Sequence, residues 1–229
     1  MIRLYVDAPL SADRILTLSD DHFHYLAHVM RRTIGDEVCL FNGKNGEWSA
    51  RIATLTKRTG TLAISAQTRS QTTEPRLILC PALIKKENMD WVFQKATEIG
   101  VSDIFPLLTE RTVVPRLNLD RAIATVREAA EQSERLTVPV IHTPARLPDF
   151  LAQTAKDFIP VCLSERGTTT APLTQDQPYA FCIGPEGGWT PAEQELFTRH
   201  HAIFWHLGTT ILRAETAAIT ALACYHFHS

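Results

Sequence analysis

Ile183-Gly184-Pro185-Glu186-Gly187-Gly188-Trp189-Thr190, followed by Leu207-Gly208-Thr209-Thr210-Ile211-Leu212-Arg213-Ala214-Glu215-Thr216-Ala217, decides how this chain is read. Each stretch follows a short apolar run, Tyr179 to Ile183 and Ala202 to Leu207, that reads as a buried strand. Each then opens a helix. After the first loop Thr190 is placed to be the N-cap, Pro191 takes the first helical position, and Glu193 stands where a capping box needs it. If the strands are parallel, both loops lie at the carboxyl edge of the sheet, where open α/β sheets hold ligands. Glycine lets the backbone pass close to a bound molecule. No Gly-Lys-Ser/Thr follows, so the loop is not a P-loop, and it is not the Gly-x-Gly-x-x-Gly dinucleotide fingerprint. A pair of tight turns with no ligand is the competing reading.

The pattern Gly-Pro-Glu-Gly-Gly-Trp-Thr-x-x-Glu, then Leu-Gly-x-x-Ile-Leu-Arg-x-Glu-Thr-Ala, resembles the carboxyl-terminal signature of the RsmE family. These are knotted methyltransferases of the SPOUT superfamily that use S-adenosylmethionine. The resemblance extends upstream through Trp91 to Val101, Thr109-Glu110-Arg111-Thr112 and Arg127 to Arg135. The segment His22-x-His24-x-x-x-His28-x-x-Arg31-Arg32-x-x-Gly35-Asp36 is similar to the family's amino-terminal PUA-like domain, which is thought to help hold RNA. One departure stands out: many relatives carry a basic residue where this chain has Thr210.

Length and composition set the outer bounds. The 229 residues hold one large domain or two small ones, and no apolar run reaches transmembrane length. The first residues carry a charge within their apolar run and no cleavage pattern, which is unlike a signal peptide. Cys39, Cys80, Cys162, Cys182 and Cys224 are widely spaced and form no Cys-x-x-Cys, so they read as buried thiols of a reducing cytoplasm. The net charge of −2 does not advertise a nucleic-acid binder. Residues 1–72 carry 9 Lys/Arg against 7 Asp/Glu, and residues 73–229 carry 14 against 18, an asymmetry too small to carry weight. An RNA-binding claim must rest on a local patch or on the resemblance.

In chain order, residues 2–6 alternate like a strand. Ser19 caps a short helix with Phe23, Leu26, Ala27 and Met30 on its core side, closed by Arg31 and Arg32. Three strands follow, at 38–41, 48–55 and 61–65. His24 and His28 share a helix face, but no third metal ligand is near in sequence. Arg31, Arg32 and Lys44, with Lys57 and Arg58, are candidates for a phosphate-contacting surface, against a plain solvated face. The polar stretch Thr68 to Pro75 reads as a linker.

From Arg76 strands and helices alternate: a strand from Leu77 to Ile84, a helix stopped by Gly100, a strand within Val101 to Leu108 and a helix from Leu119 to Arg135. Val140-Ile141, a helix from Leu147 to Lys156 and a strand from Phe158 to Leu163 follow. This alternation predicts a mostly parallel α/β sheet. Glu128, Gln132 and Arg135, spaced by four and three, are expected on one helix face. The expected organisation is a small PUA-like β-barrel over residues 1–72 and a methyltransferase domain over residues 73–229. The latter is a mostly parallel sheet with helices on both faces and, from the resemblance alone, a trefoil knot.

The resemblance implies methylation of N3 of a uridine in 16S rRNA, near the decoding site of the small ribosomal subunit, by a cytoplasmic homodimer without metal or membrane attachment. It implies a pocket for S-adenosylmethionine lined by Leu163, Ile183, Gly184, Pro185, Glu186, Gly187, Gly188, Leu207, Gly208, Ile211 and Leu212. Arg31, Arg32, Lys44, Lys86, Arg111 and Arg135 are the expected RNA contacts. The sulfonium is an activated donor, so the chemistry is mainly positioning. N3 must also lose a proton before its lone pair can attack. A cation near the uracil oxygens stabilises the anion, and a carboxylate receives the proton. Arg213 and Glu215 are the expected catalytic pair, against an ion pair or cap that only shapes the loop. A non-catalytic RNA-binding or ribosome-assembly protein, and a methyltransferase acting on another RNA such as tRNA, are the alternatives.

Overall fold

The computed structural model describes residues 1–154, 157–165, 169, 173–174 and 177–227. The chain forms two compact units: Met1–Thr73 with Ala130–Val138, and Glu74–Ala129 with Pro139–Ser229.

In the first unit, β1 (Ile2–Tyr5), β2 (Ile15–Thr17), β3 (Glu37–Phe41), β4 (Glu47–Leu55) and β5 (Gly60–Arg69) form one sheet in the order β1-β3-β4-β5-β2. Three register shifts between β4 and β5 mark bulges, which bend strands and increase their twist. Helix α1 (Asp20–His24) is capped by Ser19, whose side chain accepts from the His22 amide. A π-helical turn, Tyr25–Val29, continues it. The wider turn shifts the phase of the side chains. Phe23 and Leu26 are buried as expected, but Met30 is exposed, and Arg31 lies beyond the helix at φ 51°. Strand β2 was not foreseen. The expected linker begins too early, because Thr68 and Arg69 still pair within β5.

Arg3 explains why residues 130–138 belong to this unit. It is 9 % exposed and bonds through Nε to Glu47 at 3.0 Å. Its remaining donors reach the carbonyls of Ala130, Glu131 and Arg135 at 2.9–3.2 Å. The Tyr5 amide donates to the Glu131 carboxylate at 2.8 Å. A buried guanidinium needs all its N–H groups satisfied, and the returning segment supplies carbonyls for it.

The second unit contains β6 (Ile78–Pro81), α2 (Lys86–Ile99), β7 (Asp103–Ile104), β8 (Leu107–Leu108), α3 (Leu119–Gln132) and β9 (Val140–Ile141). It continues through β10 (Ala145–Arg146), α4 (Leu147–Thr154), β11 (Ile159–Leu163), β12 (Tyr179–Ile183), α5 (Pro191–Arg199), β13 (Ile203–Trp205) and α6 (Ala214–His226). The last residues of α3 already count with the first unit. Six strands form a parallel sheet in the order β13-β11-β12-β6-β7-β9. Two short strands, β10 and β8, pair separately. The single strand expected within 101–108 is therefore two pieces, interrupted at Phe105-Pro106. Helix α2 ends on Gly100 at φ 118°, as read from the sequence. The expected end of α4 at Lys156 lies outside the described residues.

Alternation along β12 places a helix layer on each face of the sheet. Tyr179 and Phe181 pack against Tyr225 of α6, with ring centroids 5.6 and 5.3 Å apart. Ala180 and Cys182 face the opposite way, into a core with Leu147, Phe150 and Leu151 of α4 and Phe197 of α5. Cys162, Cys182 and Cys80 are direct cross-strand partners and fully buried. Burial pushes the thiols of Cys80 and Cys162 upward, so both stay protonated and serve as packing groups. No helix among the described residues is long and apolar enough to cross a membrane.

Candidate functional site

Because the six-stranded sheet is wholly parallel, the loops after β12 and β13 emerge at the same edge, on either side of β11. They enclose one cavity of about 1120 Å³. Every residue expected to hold the cofactor lines it: Leu163, Ile183, Gly184, Pro185, Glu186, Gly187, Gly188, Leu207, Gly208, Ile211 and Leu212. So do Arg213 and Glu215.

The glycines of the first loop have distinct local causes. A Cβ at Gly184 would meet the Trp189 ring at 3.1 Å. At Gly187 it would meet the Arg111 side chain at 3.2 Å. Gly188 adopts φ +67°, which side chains disfavour, and its amide closes the turn onto the Pro185 carbonyl at 2.8 Å. Trp189 is 7 % exposed and donates Nε1–H to the Leu163 carbonyl at 2.9 Å.

The helix that follows is fixed by the foreseen capping box. The Glu193 carboxylate accepts from the Thr190 amide at 2.8 Å, and the Thr190 hydroxyl accepts from the Glu193 amide at 3.3 Å. Glu193, 5 % exposed, also accepts from the Glu110 amide at 2.9 Å. The turn Thr109–Thr112 is thereby tied to the cap of α5.

In the second loop Gly208 adopts φ +94°, with open space where a Cβ would stand. The His206 ring lies 3.2 Å from the Gly208 carbonyl. Arg213 is the N-cap of α6; its side chain makes no capping bond, and its carbonyl accepts from Ala217 at 2.8 Å. Glu215 sits in the first turn of α6, and its Oε2 is sealed from solvent without a hydrogen-bond partner among the described residues. A buried carboxylate oxygen left unpaired is costly, and such atoms concentrate at functional sites.

The expected RNA contacts are dispersed. Arg111 alone lines the cavity. Lys86 is exposed at the start of α2; its neighbour Lys85, which the sequence reading passed over, lines the cavity with Asn88. Arg31, Arg32 and Lys44 are exposed on the first unit. Arg135 does not share a face with Glu128 and Gln132, because α3 stops at Gln132. It is 8 % exposed and donates to Thr137 at 2.9 Å within the first unit. The rings of His24 and His28 are 5.4 Å apart. No group of three or more His, Cys, Asp or Glu side chains among the described residues is arranged to hold a metal ion.

A parallel sheet with two glycine loops over one cavity at its carboxyl edge defines the class, an α/β ligand-binding protein. The family model described as RNA methyltransferase domain matches residues 72–226, and that described as RNA methyltransferase PUA domain matches residues 18–65. Ribosomal RNA small subunit methyltransferase E of Rickettsia conorii is 33% identical across 96% of this chain and 93% of its own length. The same enzyme of Neisseria gonorrhoeae, solved bound to S-adenosyl methionine, superposes with a TM-score of 0.88 at 28% identity, covering 97% of this chain and 95% of that one. The Legionella pneumophila protein Lpg2936, solved with the cofactor SAM, gives 0.89 at 31% identity with the same coverage. The chain belongs to the ribosomal RNA small subunit methyltransferase E family.

Proposed function

We propose that this chain methylates N3 of a uridine in 16S rRNA of the small ribosomal subunit, near the decoding site, with S-adenosylmethionine as donor. The observation that carries the reading is the single cavity shared by the two glycine loops. The residues fit the cofactor. Buried Leu163 and Ile183 give apolar surface, the loops give backbone N–H and C=O groups, and the volume exceeds that of an ordinary small-ligand pocket, leaving room for a base. Two relatives of the same fold were solved with that molecule bound.

Bound S-adenosylmethionine supplies a methyl group already activated on a sulfonium. The chain has the remaining work. The loop backbones fix the position of the donor, which is where most of the rate enhancement of such a transfer arises. Arg213, exposed and lining the cavity, stabilises the uracil anion at its oxygens. Glu215, which lines the cavity close to Arg213 in sequence, receives the N3 proton. Exposed Arg31, Arg32, Lys44 and Lys86 contact phosphates.

A homodimer, the knot and a cytoplasmic location are part of the same proposal. Helix α6 supports the dimer. Only its Ala218, Ala221 and Leu222 are buried, leaving Ala217, Ile219, Ala223 and Cys224 half-buried, and Ile211 just before it is 74% exposed. Mass spectrometry of small-subunit rRNA nucleosides from a deletion strain tests the function. Loss of 3-methyluridine, restored by the wild-type gene, is expected; an unchanged nucleoside profile overturns it.

A further inference from the structure

We propose that Arg111 is an oxyanion-binding residue of the cavity, prepared for that task by its bond to the first glycine loop. The inference rests on the proposed function for the identity of the ligands, but its geometry is independent of it. The Arg111 side chain lies along Gly187, and Nη1 donates to the Gly187 carbonyl at 2.6 Å. Among the described residues that single neutral acceptor is its only hydrogen-bond partner, and no carboxylate pairs with it. Four carboxylates, on Glu165, Glu186, Glu195 and Glu215, line the same cavity, and none is paired with it.

A planar five-donor group fixed at one nitrogen keeps its other N–H groups in a set direction, which suits two-point binding of a carboxylate or phosphate. The platform beneath it is rigid. Its turn is held by Thr109–Thr112 hydrogen bonds and by the Glu110 amide on buried Glu193. Gly187 is fitted to the guanidinium stem, because a Cβ there would press on Arg111. The first loop therefore owes one of its glycines to this arginine. The shared chemistry is an oxyanion, and it has two sources: the methionine carboxylate of the donor, or a phosphate beside the target nucleotide.

The test compares wild type with Arg111→Gln, which shortens the side chain, removes the charge and keeps an N–H donor near Gly187. Calorimetry with S-adenosylmethionine and with 5′-methylthioadenosine, which lacks the carboxylate, forms one arm. Binding of a 16S rRNA transcript across a salt series forms the other. If the oxyanion is the carboxylate, S-adenosylmethionine binds about tenfold more weakly and 5′-methylthioadenosine binds as before. If it is a phosphate, both small ligands bind as before, RNA affinity falls about tenfold, and the log–log salt slope shrinks by about 0.7–0.9. Equal weakening of both small ligands makes Arg111 only a loop support and overturns the proposal, as does no change in either arm. Failure of wild type to bind either small ligand would defeat the cofactor assignment while leaving the RNA arm able to decide Arg111.

Discussion

Trp189 and Leu163 are joined by a hydrogen bond of 2.9 Å from the indole Nε1 to the carbonyl, which fastens the loop after β12 to the last residue of the neighbouring strand β11. The same indole fills the space that Gly184 leaves open. Trp189→Phe keeps most of the packing and orphans the carbonyl. We expect a stability loss of about 1 kcal/mol and a several-fold weaker affinity for S-adenosylmethionine, measured by denaturation and calorimetry.

Gly184 and Gly208 predict different failures. Gly184→Ala drives a methyl group to 3.1 Å from the Trp189 ring, so the indole must shift and its bond to Leu163 suffers. Gly208→Ala meets nothing within 4 Å but must hold φ +94°. Its cost is conformational, about 1 kcal/mol or more, and stays within the second loop. Thermal melting should fall more for Gly184→Ala, whereas cofactor affinity should fall for both. Equal melting temperatures would refute the packing explanation of Gly184.

Arg213→Ala should lower the rate of methyl transfer by about a hundredfold or more, as removal of one electrostatic stabiliser does, with cofactor affinity within about threefold. Single-turnover transfer to rRNA and calorimetry measure the two quantities. Retained transfer with intact RNA binding would remove Arg213 from the chemistry.

Arg3→Met tests the return of residues 130–138. It leaves the Glu47 carboxylate buried, though Arg69 lies 3.6 Å away, and removes a donor from three backbone carbonyls, of which Ala130 keeps the Arg135 amide at 3.1 Å. A loss of about 3–5 kcal/mol is expected in chemical denaturation, with exchange protection falling first in residues 130–138.

Asp103 gives a pH dependence. Burial pushes its carboxyl upward, but hydrogen bonds from His142, Ser102 and Arg76 outweigh that and hold it below its ordinary value. The folded form therefore binds its proton less readily than the unfolded chain. The resulting stability is fully present above the unfolded value near pH 4 and disappears as pH falls through the lower folded value. Asp103→Asn should be less stable than wild type at pH 7, and the gap should narrow below about pH 4. A gap that widens in acid would contradict the assignment.

Much of the site was legible because its determinants are local. The capping box of Thr190 and Glu193, the stop at Gly100 and the cap at Ser19 involve residues within a few positions, and each formed as read. The two loops were legible as a pair because each ends a strand and opens a helix. The errors also have physical causes. A π-turn adds a residue to the helical period, so Met30 left the core face it was counted on. Helix α3 stops at Gln132, and Glu134 adopts φ 58°, which carries Arg135 off the face predicted by straight helical spacing. Strand β2 has only three residues, too few for its exposed, half-buried, exposed alternation to register as a period.

The order of residues alone determined the alternation of strands and helices, the caps, and the two bends that make the site. Those depend on backbone preference and on partners three or four positions away. Only the folded chain decided that Arg111 rests on Gly187 across 76 positions, that Glu193 holds the Glu110 amide across 83, and that Arg3 gathers carbonyls from Ala130 to Arg135. Such pairs are chosen by which polar groups are buried together and must satisfy one another, and that is a property of packing with no periodic trace along the chain.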